Sequence, residues 1–416
     1  MSLRADAKEI FKAAGKETQP QKAVLENLSL NGNVLTVGKK EFVLGSSRVF
    51  VVGAGKASCS MAKAVEKILG KRLAGGVVVV NHGNALKLTK IRVVKASHPT
   101  PDSGSIKAGK LVLKTLDNAQ KGDFVLVLLS GGASSLLELP YCSLSQLTRV
   151  YADLVTCGAD IRQINVVRKH LSKLKGGHLA LEVKKRGLNG ASLILSDVIG
   201  NDLSSIGSGP TAFDKSTVAQ SKRILRKYCG NASVEVFLRE TPKKRVGFYN
   251  FIVGDNKKAV DAACVKAENL GYRVFKMKKG VVGESLVVGR AFAKKAGSLK
   301  SKTAVVGGGE TCVCVTGRGK GGRAQELALY FLSRFKKFPK NLLFLAAGTD
   351  GCDGCTPAAG AFADAKVFEN ARRLGLDVEC FLKNNDSYSF FKKTRGLFVT
   401  GPTGTNVNDV YVLLIK

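Results

Sequence analysis

The 416-residue chain has no tryptophan, three methionines, four histidines and fewer than half as many acidic side chains as basic ones, 32 against 66. Each scarcity excludes something. No apolar run approaches the roughly 20 residues of a membrane-spanning helix, and the N-terminal stretch carries no apolar signal core, so a soluble protein without membrane partners is expected. The early cations Arg4, Lys8, Lys12 and Lys16 are interrupted by Asp6, Glu9 and Glu17; a mitochondrial transit peptide avoids such acids, and the segment reads as a first helix. The missing tryptophan and an aromatic content of 7% leave few platforms for stacking nucleic-acid bases.

The net charge of +34 nevertheless attracts anions. Its cations fall in short separate clusters, such as Lys184-Lys185-Arg186, Lys243-Lys244-Arg245 and Lys392-Lys393, which reads as a solvated basic surface rather than a track for nucleic acid. Ten scattered cysteines without a signal peptide read as reduced thiols of a cytoplasmic protein. Cys352 and Cys355 have half-site spacing, but no second Cys/His pair stands at finger-like distance. His98, His170 and His178 are not at zinc-helix spacing and read as structural.

What is abundant is a rhythm. Short β-branched or apolar runs at residues 49–52, 77–80, 125–129, 193–195, 251–253, 304–306 and 342–345 alternate with helical stretches at 57–69, 106–118, 161–181 and 257–270, and 409–415 reads as a closing strand. Such alternation predicts an α/β protein with parallel, doubly wound sheets covered on both faces, whose ligands bind beyond the carboxyl ends of the strands. Proline and charge at 239–245 (RETPKKR) place a domain boundary there, giving domains 1–240 and 241–416.

Glycine turns punctuate those strand ends. Gly53-Ala54-Gly55-Lys56 follows RVFVV, Ser130-Gly131-Gly132 follows FVLVLL, and Gly307-Gly308-Gly309 precedes Glu310 after TAVV. The segment TGRGKGGR places Arg318, Lys320 and Arg323 before a helix-like run. Glycine loops at helix N-termini offer bare N–H groups and a positive dipole end to phosphate. The first turn is no P-loop, because Phe50 and Ala57 occupy the positions of its first glycine and its Ser/Thr. What remains is Lys56 at a strand–helix mouth, placed to hold a transferring phosphoryl group. Gly317-x-Gly319-x-x-Gly322 matches the dinucleotide fingerprint and keeps open an NAD(P)H-dependent hydroxypyruvate reductase.

Acidic residues cluster in two loops, Asp197 and Asp202 in SDVIGND and Asp350 and Asp353 in GTDGCDG. Carboxylates so placed can hold Mg²⁺ with phosphate oxygens or take a hydroxyl proton; helix caps and Asx turns use the same residues. In the basic helix expected at 161–181, Ile164, Val167, Leu171 and Leu174 form the core stripe, leaving Arg168 and Lys175 as substrate contacts.

Over nearly its whole length the chain resembles the class II glycerate kinases, the MOFRL family, through GAGKA, SHPTPD, LLSGGASSLL, INVVRKHLSKLKGG, LSDVIGNDLSSIGSGPT, GGGETCVCVTGRGKGGRAQELAL, GTDGCDGCTPAAGAFAD and TGPTGTNVND. The resemblance implies a Rossmann-like N-terminal domain with a second, smaller α/β domain, and ATP-dependent phosphorylation of D-glycerate to 2-phosphoglycerate with Mg²⁺ in the cleft between them; it admits a homodimer. It implies Lys56, Arg323 and Asp197 as catalytic residues. Gly53, Gly55, Ser130, Gly131, Gly132, Gly308, Gly309, Glu310, Gly319 and Gly322 are the expected ATP contacts, Arg168 and Lys175 the substrate contacts, and Asp197, Asp350 and Asp353 the metal ligands. Ala324, Asn201, Pro357, Gln163 and His178 depart from the family's usual Asn, Asp, Asp, Glu and Arg. The alternatives are the reductase and a basic nucleic-acid-associated protein.

Overall fold

A computed structural model describes residues 2–230, 233–244 and 246–416; Arg245, at the end of the expected boundary segment, lies outside them. The chain divides into two compact units, Pro20–Val253 and Met1–Gln19 with Gly254–Lys416. The first helix therefore stands with the C-terminal residues, not with those that follow it.

In the unit Pro20–Val253, a small antiparallel meander of β1 (Leu28–Asn31), β2 (Val34–Val37) and β3 (Lys40–Val43) precedes the main sheet. That sheet consists of β4 (Val49–Ala54), β5 (Leu73–Asn81), β6 (Ile91–Ala96), β7 (Phe124–Leu129), β8 (Asn189–Leu195) and β9 (Tyr249–Gly254), in the order β6-β5-β4-β7-β8-β9. The pairs from β6 through β8 are all parallel. Numbered from its own first strand this is the 3-2-1-4-5-6 order of the dinucleotide-fold class, and its switch point lies between β4 and β7.

Neighbouring strand residues face opposite layers. Val51, Val78, Leu126 and Leu193 pack with Met61, Ala62 and Val65 of the helix Ser58–Leu69. Val52, Val77, Val127 and Ile194 pack with Ala108, Val112 and Leu116 of the helix Ser103–Asp117. Burial on both faces is why these strands read as unbroken apolar runs, each large side chain contributing about 1.5–3 kcal/mol.

The other unit holds β10 (Arg273–Lys276), β11 (Val281–Glu284), β12 (Thr303–Cys312), β13 (Leu342–Gly348), β14 (Gly360–Asp364), β15 (Leu397–Phe398) and β16 (Asp409–Ile415), ordered β10-β12-β16-β13-β14-β15 with β11 also on β12. Only β10 and β11 run parallel to β12; the remaining pairs are antiparallel. The expectation of parallel sheets throughout fails here because the last strand inserts between β12 and β13 in the opposite sense. Ile10, Phe11 and Ala14 of the helix Leu3–Glu17 cover one face of this sheet together with Ala259, Val260 and Ala263, against Val410, Val412 and Leu414. On the other face Leu327 and Phe331 of the helix Arg323–Ser333 meet Phe344, Tyr411 and Leu413. No described helix is long and apolar enough to cross a membrane.

The helix expected over 161–181 is two helices, Ile161–His170 and His178–Lys185. Gly176 (φ 58°) and Gly177 (φ 90°) interrupt it in the left-handed region, and their N–H groups donate to Ser208 O and Gly209 O at 2.9 and 2.7 Å.

Candidate active site

The loops leaving β4 and β7 are knitted into one floor at the switch point. Ser130 N–H donates to Ala54 O at 3.0 Å, Gly55 N–H to Val79 O at 3.1 Å and Lys56 N–H to Gly131 O at 2.8 Å. The Ser130 hydroxyl accepts from Ala57 N–H at 3.0 Å. Gly55 has φ 123°, and a Cβ there would collide with Ser130, so only glycine lets the loops touch. Gly53 belongs to β4 itself, where a Cβ would lie 2.9 Å from Leu128 O; its role is close strand packing.

Around this floor three cationic or ionisable side chains converge. His98, in the loop after β6, packs over Gly132, whose missing Cβ would stand 3.0 Å from the ring's Cδ2. Burial, reinforced by the charges of Lys56 and Arg168, pushes the imidazole pKa down, so His98 is neutral and shares one neighbourhood with both cations. Arg168 projects from the helix Ile161–His170 with its Cζ 4.7 Å above the Tyr151 ring, and its buried Nε has no hydrogen-bond partner. One turn earlier, Asn165 Oδ1 lies 3.1 Å from the Ser208 hydroxyl, itself 3.0 Å from that of Ser134. Asp197 is half-buried just beyond β8, at the same carboxyl edge of the sheet. His98 was read from the sequence as structural; the bordering SHPTPD loop was its only mark.

Lys175 is not a substrate contact. Its ammonium is fully buried in an ion pair with Glu138 and donates to Leu137 O at 3.0 Å. Glu138, itself buried, also accepts from the Ser172 hydroxyl at 2.6 Å and the Tyr151 hydroxyl at 3.3 Å. Burial pulls the Lys175 pKa down while Glu138 holds it up.

In the other unit the glycine-rich segment serves a different purpose from the expected one. Gly317 N–H donates to Asn385 Oδ1 at 2.9 Å, Arg318 N–H to Asn384 Oδ1 at 3.0 Å, Gly319 N–H to Asn384 O at 2.8 Å and Lys320 N–H to Asp386 Oδ1 at 3.0 Å. A Cβ at Gly317 or Gly319 would collide with Asn384 or Asp386, and one at Gly322 with Asp353. The fingerprint glycines allow two loops to pack together, and the N–H groups of Gly317 and Gly319 are engaged by the facing loop. Gly308 and Gly309, expected in a turn, lie inside β12, where a Cβ would strike Asn256 and Val281. Gly319, Gly322, Gly308 and Gly309 each leave room for a close-packed neighbour, so their glycine is accounted for by packing.

The N-terminus of the helix Arg323–Ser333 is closed by Asp353, whose Oδ1 accepts from Ala324 N–H at 3.1 Å and whose Oδ2 accepts from Gln325 N–H at 2.8 Å and Gln325 Nε2 at 3.0 Å. Burial and the nearby Asp409 charge raise its pKa to about 6. A carboxylate with both oxygens so engaged is a helix cap, and a metal-ligand role does not fit it. Arg323 is gripped by Asp409, through Nε at 2.8 Å and a second nitrogen at 3.1 Å, and pairs with Glu310. Glu310 thus answers an arginine. Although burial works against its charge, the two carboxylates raise the Arg323 pKa further and keep it cationic. Asp350 Oδ1 accepts from Cys352 N–H at 3.1 Å in an Asx turn. Among the described residues no group of three or more His, Cys, Asp or Glu is placed to hold a metal ion. Magnesium carried by a nucleotide needs only one or two carboxylates besides phosphate oxygens and water; of the expected set, Asp197 in one unit and Asp350 in the other are each half-buried.

Residues 6–240 match the domain of unknown function DUF4147, and residues 303–409 match the MOFRL family. A glycerate 2-kinase of Pyrococcus horikoshii is 37% identical over 100% of this chain and 98% of its own length. This chain belongs to the MOFRL glycerate kinase family. The solved structure of a glycerate kinase from Thermotoga maritima superposes with a TM-score of 0.89 at 37% identity, covering 100% of both chains. A relative from Agrobacterium vitis, provisionally named hydroxypyruvate reductase, is 36% identical over 100% of this chain and 95% of its own. The glycerate kinase family thus includes members bearing an oxidoreductase name, and the geometry of the fingerprint loop bears directly on that difference.

Proposed function

We propose that this protein transfers the γ-phosphoryl group of ATP to D-glycerate, giving 2-phosphoglycerate and ADP. The observation that carries the reading is that His98, packed over Gly132 at the switch point of the parallel sheet, shares its neighbourhood with the cations Lys56 and Arg168. Phosphoryl transfer asks chiefly for positioning and for charge aimed at the moving group. Arg168 is suited to hold the substrate carboxylate, since a guanidinium with a free buried edge matches a carboxylate's two oxygens. Lys56 neutralises the phosphoryl oxygens as the glycerate hydroxyl oxygen bonds to the γ-phosphorus and the bond to the β,γ-bridging oxygen breaks. Asp197 takes the hydroxyl proton or meets the magnesium that enters with ATP. Arg323, held by Asp409 and Glu310, is the cation proposed from its own unit as a phosphate contact.

A reductase reading draws on the Agrobacterium vitis relative, but in the G-x-G-x-x-G segment the N–H groups of residues 317–320 already donate to residues 384–386. The test is direct. Purified protein is given ATP, Mg²⁺ and D-glycerate in one arm and NADH with hydroxypyruvate in the other, and the phosphorylated product is identified by phosphorus NMR. Release of ADP with a phosphate on the 2-oxygen is expected. NADH oxidation without ADP release would replace the proposal with the reductase, and a 3-phosphate would correct its regiochemistry.

A further inference from the structure

We infer that Tyr151 is a positioning residue that sets Arg168 for the substrate carboxylate. The inference rests on the proposed role of Arg168. Tyr151 comes from the helix Leu144–Thr156 and Arg168 from Ile161–His170, so their meeting is tertiary. The guanidinium carbon stands 4.7 Å from the ring centroid, with the ring buried at 5% exposure. A planar guanidinium laid on an aromatic face gains cation–π attraction and leaves its edge N–H groups free. The buried Nε without a partner is such a group.

The ring is itself fixed. Its hydroxyl donates to Glu138 Oε2 at 3.3 Å, and Glu138 is anchored by Lys175, by Ser172 at 2.6 Å and by the Leu139 N–H at 3.0 Å. Lys175 supplies the positive charge that makes a buried glutamate tolerable, and Glu138 keeps the tyrosine from rotating away. On the helix that carries Arg168, the adjacent Lys169 pairs with the buried Asp214 at 3.1 Å, which fixes the helix about its own axis. Asn165 fixes it a second time through Ser208. Long arginine side chains lose much rotamer entropy on binding; a stacked, pre-set guanidinium has lost it before the substrate arrives.

The test uses the full chain with Tyr151→Leu, which removes the ring, and Tyr151→Phe, which keeps it. Thermal melts first establish that each variant is folded. Tyr151→Leu is expected to raise the KM for D-glycerate about tenfold while leaving the KM for ATP and kcat within about twofold, the scale of a desolvated cation–π contact. Tyr151→Phe should recover most of the loss. A second readout does not need turnover: the Arg168 Nε–H resonance, shifted by the ring current in the wild type and in Tyr151→Phe, should move to an ordinary arginine position in Tyr151→Leu. An unchanged glycerate KM in folded Tyr151→Leu, or equal rises in both KM values, would overturn the inference while wild-type glycerate turnover leaves the functional reading standing. Absence of glycerate turnover in the wild type would instead overturn the functional reading, and the substrate half of this inference with it.

Discussion

Arg323 and Asp409 form a two-pronged ion pair, with hydrogen bonds of 2.8 and 3.1 Å, in which the carboxylate is 3% exposed and the guanidinium 31%. The arginine opens a helix and the aspartate opens the central strand β16, so the pair ties the two elements at the point where both begin. It also answers an electrostatic problem: a cation in the first helical turn opposes the helix dipole unless an anion accompanies it.

Arg323→Ala should therefore damage two properties at once. Asp409 is left buried and unpaired, costing about 3 kcal/mol, the low end for a buried pair because Arg323 retains some solvent. Turnover should fall about a thousandfold or more if the arginine also serves the phosphates. The double variant Arg323→Ala/Asp409→Asn separates the two effects: urea melts should show most of the stability regained, and ADP release should stay low. Recovery of turnover with stability would reduce Arg323 to a structural strut.

Asp353 predicts a stability slope of unusual sign. Its folded-state pKa of about 6 lies above the ordinary 3.8, because burial and then the Asp409 charge disfavour ionisation. Between about pH 4 and pH 6 the folded chain keeps a proton that the unfolded chain has released, so this contribution is present below pH 4 and is lost as pH rises through 6. Relative to Asp353→Asn, wild-type stability should drop by up to about 3 kcal/mol across that window. Glu66 and Asp102, lowered by backbone N–H groups despite burial, have the opposite sign and lose stability as pH falls through their depressed values. Comparing the two proteins at each pH removes these common terms, and parallel curves would show that Asp353 does not titrate there.

The parallel sheet was legible because its strands are buried on both faces and so read as continuous apolar runs between turns. Residues 49–54, 124–129 and 193–195 are of this kind. The strand β14 was not, since GAFAD has little β-branched character and owes its pairing to β13 beside it. The four-residue strands RVFK and VVGE are too short to show a period. Glycine was the most ambiguous signal. It is required wherever a backbone is approached closely, and a sequence does not distinguish approach by a phosphate from approach by Asn384 or Val281. Thus Gly55 at the switch point and Gly319 in the second unit looked alike, each followed by a lysine, yet Gly55 is approached by Ser130 and Gly319 by Asn384 and Asp386.

Lys175→Met should test whether the Glu138 cluster is structural. Removing the ammonium leaves a carboxylate with no exposure to solvent and should destabilise the protein by about 3–5 kcal/mol in denaturant melts. Lys175→Met/Glu138→Gln removes both charges and should recover much of that loss. A stable single variant whose only defect is a raised glycerate KM would restore Lys175 to the role of a direct substrate contact.

Gly55 and Lys56 are neighbours with opposite predicted defects. A methyl group at Gly55 meets Ser130 and forces a side chain into φ 123°, so Gly55→Ala should cost about 1–3 kcal/mol and push the two loops apart. Lys56 is held through its backbone, with its N–H on Gly131 and its carbonyl accepting from the Asn84 side chain at 2.9 Å. Lys56→Met keeps both bonds, and its melting curve should lie within about 0.5 kcal/mol of wild type. Its turnover should fall by about 10²–10³ if the ammonium faces the charge that develops on the moving phosphoryl group. Near-normal ADP release from a folded Lys56→Met protein would remove the lysine from the chemistry and leave the switch-point loops as a scaffold alone.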